Sequence, residues 1–196
     1  MLFRSLLSST SALISQGEIL QLQHNGEVDM LEETYLKIIS NKTASLFLAA
    51  AKIGPIITEK NNKYKDALES YGKNLGLTFQ IADDTLDYNS DLKLFGKNVG
   101  NDFFEGKVTL PIILLFQKIN DNEKKIVKNL FIKNNRSDND LNFVLDLIKN
   151  KNIINECYKK AEHYINLASN SLNIFENSEE KNILKNLTTF SLERNF

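Results

Sequence analysis

The sequence has 196 residues, of which 42% are hydrophobic, with 24 basic and 25 acidic side chains and a formal net charge of −1. This length predicts one domain, and the hydrophobic content is that of a chain that folds. The charge balance argues against nucleic acid as a partner, because phosphate backbones bind proteins with a basic surplus. The single cysteine, Cys157, excludes an intramolecular disulfide. No uninterrupted apolar run approaches the ~20 residues of a membrane span.

Apolar residues recur about every 3.6 positions along nearly the whole chain, and no segment keeps a period of two. This pattern predicts an all-α fold in one domain over residues 1–196. Gly72 and Gly76 lie within one predicted helix and are expected to let a neighbouring helix approach closely. The predicted helices cover 1–24, 30–57 with a bend at Gly54-Pro55, 61–88, 109–119, 122–132, 138–149, 153–175 and 179–196, and a polar loop covers 89–106.

The N-terminal segment combines Arg4 with several serines and no acid before Gln16, which is also the composition of export signals. Its apolar residues keep helical spacing and continue into Ile19, Leu20 and Leu22 without a cleavage-type junction. We therefore interpret this segment as an amphipathic helix of the mature domain and expect a cytoplasmic protein.

An acidic cluster, Asp83, Asp84 and Asp87, interrupts the otherwise apolar helix predicted over 61–88. Asp83 and Asp87 are four residues apart and share a helix face, and Gln80 precedes Asp83 by one turn. Carboxylates so close repel one another and are costly in a packed helix without a counter-charge. Hard oxygen ligands of this kind suit Mg²⁺. The alternative is a solvated acidic face, which the apolar flanking residues make the less favoured interpretation.

Lysines near this cluster could supply the opposite charge. Lys97 follows Gly96, and Lys107 follows Gly106, so both lie in a loop whose glycines permit tight backbone paths. Aspartates, Mg²⁺ and lysines together are typical of a diphosphate site. Lys42-Thr43, in the middle of the helix predicted over 30–57, could also reach a phosphate, although this pair taken alone favours a lysine that extends into solvent.

These residues together resemble the trans-isoprenyl diphosphate synthase, or polyprenyl synthetase, family. The segment from Gly76 to Asp87 is similar to the family's second aspartate-rich motif. The resemblance covers essentially the whole chain, and the bacterial octaprenyl and polyprenyl diphosphate synthases are the members it resembles. Further landmarks stand around that motif in the family's order: Gly17-Glu18 with Gln21, Tyr35 before Lys42-Thr43, Gly96-Lys97, Gly100-Asn101-Asp102, Glu105-Gly106-Lys107-Val108-Thr109-Leu110-Pro111, and Leu192-Glu193-Arg194.

The resemblance implies an antiparallel helical bundle of the isoprenoid synthase type and a prenyltransferase of isoprenoid biosynthesis. Such an enzyme ionises an allylic diphosphate, adds isopentenyl diphosphate head to tail and then loses a proton. The residues that match the family's motifs would be Mg²⁺ ligands (Asp83, Asp84, Asp87), lysines that neutralise the diphosphate (Lys42, Lys97, Lys107), and two polar groups beside the reacting allylic carbon (Thr43, Gln80).

The chain departs from the family pattern in one respect. Family members carry an earlier aspartate-rich motif followed by paired arginines, whereas here Asp-Asp-x-x-Asp occurs once and no two arginines are adjacent. We therefore expect a partial domain, the C-terminal portion of the fold, that lacks the N-terminal helices. It would work as a homo-oligomer or in a complex with a chain that supplies those helices. A catalytically incomplete remnant, or a regulatory partner subunit of such a synthase, is the alternative.

Overall fold

The computed structural model describes residues 2–59, 61–89 and 99–192. Within these ranges every regular element is helical and no strand forms, which confirms the all-α prediction. The predicted loop over 89–106 contains one short helix, α5, and its Gly96-Lys97 lies outside the described residues. The helices are α1 (Leu2–Gln23), α2 (Glu32–Ile39), α3 (Ser45–Ile57), α4 (Asn62–Leu86), α5 (Asn101–Glu105), α6 (Leu110–Lys118), α7 (Asp121–Ile132), α8 (Asp138–Asn150), α9 (Ile153–Ser171) and α10 (Glu179–Leu192), with a π-helical turn over Ser40–Ala44 and a 3₁₀ turn over Leu172–Ile174.

The helix predicted over 30–57 consists of α2, the π-helical turn and α3. The sequence predicts a bend at Gly54-Pro55, which lies within α3, two residues before the helix ends at Ile57, and the bend stays a prediction. An irregularity lies at Ser40–Ala44, where the helix widens for one turn. Single π-helical turns inside α-helices occur frequently at functional sites. Here the turn contains Lys42 and Thr43.

The central helix of the fold is α4, which packs along α3 on one side and α9 on the other. Both glycines predicted to permit close approach do so. A Cβ at Gly76 would lie 2.6 Å from the Ala44 Cα, and one at Gly72 would lie 2.6 Å from the Phe47 carbonyl oxygen. The pairing of later residues in α3 with earlier residues in α4 shows that these two helices run antiparallel.

The main hydrophobic core lies where α6 is enclosed by α2, α4, α8 and α9. Four residues of α6 are no more than 1% exposed: Leu110, Ile112, Ile113 and Leu115. Burial of apolar side chains on all sides fixes this short helix behind the C-terminal half of α4. None of the described helices combines the length and the apolar character needed to cross a bilayer.

Candidate functional site

The side chain of Asp84 is held at both carboxylate oxygens in the interior of the fold. The Tyr35 hydroxyl donates to Oδ2 at 2.6 Å, and the Gln80 amide nitrogen donates to Oδ1 at 2.7 Å. The Gln80 amide oxygen in turn accepts a hydrogen bond from the Thr43 hydroxyl at 2.7 Å. Residues of α2, the π-helical turn and α4 thus form one continuous chain of hydrogen bonds around the predicted metal ligand.

The π-helical turn directs two consecutive side chains toward different helices. Thr43 contacts α4 through Gln80, whereas Lys42 turns toward α1. The Lys42 ammonium lies 2.8 Å from the Glu18 carboxylate and donates to the Gln21 side-chain oxygen at 2.6 Å. A Cβ at Gly17 would lie 2.5 Å from the Lys42 backbone nitrogen, so only glycine lets α1 lie this close to the turn.

Asp87 anchors the start of α5. Its two carboxylate oxygens accept the backbone N–H groups of Asn101 at 3.1 Å and Asp102 at 2.9 Å. The Gly100 N–H donates to the Asp87 carbonyl oxygen at 2.7 Å, with Gly100 at φ 87°, in the left-handed region that favours glycine. The N-cap residue, Gly100, has no side chain, so the Asp87 carboxylate caps the first N–H groups of α5 from outside the helix. The cap places α5 against the acidic end of α4.

Asp102 brings a further carboxylate to this end of α4, together with Lys107. The Lys107 ammonium lies 2.5 Å from the Glu105 carboxylate and 3.5 Å from that of Asp102. The backbone N–H of Lys107 also donates to the Asp102 carbonyl oxygen at 2.9 Å. In the sequence, Asp102 and Tyr35 are noticed only as landmarks of the family resemblance. Their places in the site are shown by contacts with residues that local spacing does not predict.

Burial and mutual repulsion perturb these carboxylates. Burial, followed by the charge of Asp102, raises the pKa of Asp84 to about 8, although the hydrogen bonds from Tyr35 and Gln80 act in the opposite direction. A buried carboxyl group ionises readily only when a positive charge or hydrogen-bond donors compensate its negative charge. Asp84 has two neutral donors, which compensate that charge only in part, so its pKa stays raised.

The neighbouring acids show the same effect. Burial raises the pKa of Asp87, against the lowering effect of the N–H groups that it accepts. Burial and the charge of Asp87 raise the pKa of Asp102 to about 6, while Lys107 lowers it. Asp83 is the exposed member of the cluster, and its charge contributes to the raised pKa of Asp84, Asp87 and Asp102.

These four aspartates fit a bound divalent cation, although not as a ready-made cage. In the described part of the chain, no group of three or more His, Cys, Asp and Glu side chains is arranged to hold a metal ion. Mg²⁺ is usually held by one or two carboxylates and completed by water and phosphate oxygens, which needs no such cage. A cation here would relieve the repulsion that raises the pKa of Asp84, Asp87 and Asp102.

The structure brings some of the predicted site residues together and leaves others apart. Thr43, Gln80 and Asp84 form one hydrogen-bonded chain, and Asp87 is linked through α5 to the Asp102–Lys107 pair. The resemblance implies that Lys42 acts with them on the diphosphate, and in the structure its contacts lie on α1, with Glu18 and Gln21. Lys97 lies outside the described residues, so its role stays a prediction.

The fold is the all-helical fold of the isoprenoid synthase type. The family model described as Polyprenyl synthetase matches residues 3–148. The chain belongs to the polyprenyl synthetase family.

Similar proteins agree with this assignment. Over 187 residues the chain is 34% identical to an all-trans-nonaprenyl-diphosphate synthase (geranyl-diphosphate specific) of Rhodobacter capsulatus, covering 95% of this chain and 57% of the relative. The structure of a polyprenyl synthase from Caulobacter crescentus CB15, complexed with calcium and isoprenyl diphosphate, superposes with a TM-score of 0.93 at 32% identity, covering 100% of this chain and 60% of that one. A decaprenyl diphosphate synthase from Rhodobacter capsulatus also gives a TM-score of 0.93 at 32% identity, with coverages of 99% and 60%. The chain therefore spans less than two thirds of the length of these relatives.

Proposed function

We propose that this chain carries the diphosphate-activating part of a prenyltransferase that condenses isopentenyl diphosphate head to tail with an allylic diphosphate. The observation that carries the proposal is the acidic end of α4. There a fully buried carboxylate, Asp84, is fixed by two neutral donors and surrounded by further carboxylates. Membership of the polyprenyl synthetase family supports the same reaction class.

Breaking the carbon–oxygen bond of an allylic diphosphate is difficult because negative charge develops on the leaving group. Asp83, Asp84 and Asp87 would hold Mg²⁺, which when bound would stabilise that charge as a Lewis acid. The hydrogen bonds from Tyr35 and Gln80 keep Asp84 in one orientation, so little reorganisation is required of it. Asp83, exposed at the rim, is the carboxylate most open to an approaching cation.

Lysines would neutralise the remaining charge of the diphosphate. Lys107 already lies beside the acidic end of α4 through Asp102. The Lys42 ammonium now contacts the side-chain oxygens of Glu18 and Gln21, and it would contact phosphate oxygens instead when the diphosphate binds. Lys97 would act in the same way. Ammonium groups aimed at a leaving diphosphate stabilise the charge as it develops.

Thr43 and Gln80 would lie beside the reacting allylic carbon. Their hydrogen bond fixes the hydroxyl oxygen of Thr43 and the amide oxygen of Gln80 next to each other. Two oxygen dipoles held in this way favour a neighbouring positive charge without first having to reorient. This pair would stabilise the allylic cation while the acidic end of α4 receives the diphosphate.

The site for isopentenyl diphosphate would lie outside the residues of this sequence. The sequence has a single Asp-Asp-x-x-Asp and three arginines, none adjacent, so it offers no second aspartate-rich motif or paired arginines. We propose that a complex with a polypeptide carrying those residues completes the enzyme, because further copies of this sequence in a homo-oligomer would lack them too. The first helix, α1, packs against the π-helical turn and α3, which supports its interpretation as a helix of the domain. We propose a cytoplasmic location on that interpretation.

The test is binding of inorganic pyrophosphate to the full chain by calorimetry, with and without Mg²⁺. We expect binding that requires Mg²⁺ and that Asp83→Asn weakens by about 10–100-fold, the usual cost of disturbing a metal site. Asp66→Asn, at an exposed aspartate of the same helix, is the matched control and should leave binding unchanged. Absence of Mg²⁺-dependent binding would overturn the proposal.

A second measurement tests whether the chain needs another polypeptide for turnover. The full chain is incubated with Mg²⁺, geranyl diphosphate and radiolabelled isopentenyl diphosphate, and labelled prenyl products are extracted. Turnover by the chain alone would show that it needs no other chain. Pyrophosphate binding without turnover is the result we expect for a chain whose isopentenyl diphosphate site lies elsewhere.

A further inference from the structure

Arg136 lies in the turn between α7 and α8, outside every motif that relates the chain to its family. Its guanidinium donates to three backbone carbonyl oxygens: those of Leu130 at 3.0 Å, Phe104 at 3.0 Å, and Phe131. The first and last belong to the C-terminal end of α7, and the second belongs to α5. A single side chain therefore joins α5 to the end of α7.

Aromatic rings and a glycine complete the environment of this guanidinium. Its central carbon lies 5.8 Å from the centroid of the Phe103 ring and 5.7 Å from that of Phe131, within the range of a cation–π contact. Gly106, at φ 73°, lies against it, and a Cβ there would be 2.8 Å from a guanidinium nitrogen. The Gly106 carbonyl oxygen accepts a hydrogen bond from the Gly26 N–H at 2.9 Å. Gly106 therefore packs against the guanidinium on one side and is hydrogen-bonded to Gly26 on the other.

The segment that Arg136 holds is the one that brings charge to the acidic end of α4. Asp102 lies two residues before Phe104, and Lys107 directly follows Gly106. Within the segment, the Lys107 N–H donates to the Asp102 carbonyl oxygen at 2.9 Å, and the Asp102 N–H donates to the Asp87 carboxylate at 2.9 Å. A shift of the Phe104 and Gly106 backbone would therefore move Asp102 and Lys107 relative to Asp87.

We propose that Arg136 is a positioning residue for the diphosphate site: by its hydrogen bond to the Phe104 backbone and its packing against Gly106, it sets where Asp102 and Lys107 stand relative to Asp87. This inference rests on the proposed function. An arginine fork is suited to such a task, because its planar donors reach several carbonyl oxygens in a fixed geometry that a lysine ammonium cannot reproduce.

The experiment compares Arg136→Ala with the unaltered full chain by amide hydrogen exchange and by Mg²⁺-dependent binding of inorganic pyrophosphate. We expect exchange of the Asn101, Asp102 and Lys107 amides to accelerate by about tenfold or more, since their hydrogen bonds depend on the position of α5. Pyrophosphate affinity should fall by about 10–100-fold, as for partners one layer behind a metal site. Lys133→Ala is the matched control, because Lys133 lies in the same turn and pairs with Asp140 but not with α5.

A purely structural role predicts a different pattern. If Arg136 only caps α7, Arg136→Ala will speed exchange only at the end of that helix, including the Lys133 N–H. The affinity for pyrophosphate will then stay within twofold of that of the unaltered chain. This result overturns the proposal. If Arg136→Ala does not fold, Arg136→Lys is measured by the same two criteria. If the unaltered chain does not bind pyrophosphate with Mg²⁺, the proposed function fails, whereas the exchange pattern at α5 still decides whether Arg136 positions it.

Discussion

The hydroxyl of Tyr35 donates a 2.6 Å hydrogen bond to the Asp84 carboxylate, although 49 positions separate the two residues in sequence. Tyr35 is 2% exposed and Asp84 is 5% exposed, so neither group can exchange this partner for water. Gln80 occupies the other carboxylate oxygen. The bond between Tyr35 and Asp84 therefore joins α2 to the acidic end of α4 and fixes the direction of a buried carboxyl group.

Replacement of Tyr35 by Phe should lower the free energy of unfolding by about 1–3 kcal/mol, because it leaves a buried acceptor with one donor fewer. Tyr88→Phe is the matched control. Tyr88 is 1% exposed, and its buried hydroxyl has no hydrogen-bond partner in the part of the chain that the structure describes. Loss of that hydroxyl should be nearly neutral. Urea unfolding of both variants measures the difference, and equal effects would contradict the interpretation.

Because of Asp84, the free energy of unfolding of the metal-free chain should fall as the pH rises. Its ordinary pKa is 3.8, and burial together with the charge of Asp102 raises the folded pKa to about 8. Between these values the folded state keeps a proton that the unfolded state has lost. The free energy of unfolding therefore decreases across this window, by up to ~1.4 kcal/mol per pH unit for one group.

Urea unfolding in the presence of a chelator, at several pH values across that window, measures this slope. Asp84→Asn should flatten it, because the amide does not titrate. Asp102→Asn should reduce the slope in the lower part of the window, since burial and the charge of Asp87 raise the pKa of Asp102 to about 6. It should also bring the upper end of the window to lower pH, because the charge of Asp102 contributes to the raised pKa of Asp84. A slope that persists unchanged in Asp84→Asn would show that another group carries the pH dependence.

The helices could be predicted from the sequence because their apolar period of 3.6 is a local property of the chain. The close approach at Gly72 and Gly76 also followed from residue type, since only glycine lacks a Cβ. The π-helical turn could not be predicted, because one widened turn of five residues leaves nearly the same apolar spacing as an α-helix. For the same reason, the sequence did not predict that Lys42 contacts α1 while Thr43 contacts α4.

The aspartate cluster could be recognised from spacing, but its partners could not. Spacing of three and four residues places Asp83, Asp84 and Asp87 near one another on α4. The contacts that define the site join residues far apart in sequence, as between Thr43 and Gln80 or between Arg136 and Phe104. Such pairings depend on how whole helices pack, which no local pattern specifies.

Gly72→Ala should destabilise the fold by about 1–3 kcal/mol, the usual cost of overpacking a close helix contact. The added methyl group would meet the Phe47 carbonyl oxygen at 2.6 Å and the Ala51 Cβ at 2.8 Å, and a backbone atom cannot move away cheaply. Gly54→Ala is the control, because a Cβ there has no neighbour within 4 Å. Its gain in helix propensity is opposed by the restriction that Pro55 places on the preceding residue, so thermal unfolding should show little change.

Lys42→Gln should weaken Mg²⁺-dependent binding of pyrophosphate by about tenfold or more, through loss of a charge that stabilises the diphosphate. Its effect on stability should be below ~1 kcal/mol, because partly exposed ion pairs contribute little. Lys52→Gln is closely matched: both lysine side chains are 29% exposed, and each pairs with one glutamate, Glu18 for Lys42 and Glu69 for Lys52. Calorimetry and thermal unfolding of the two variants then separate binding from folding. If both variants bind pyrophosphate like the unaltered chain, Lys42 serves only to join the π-helical turn to α1.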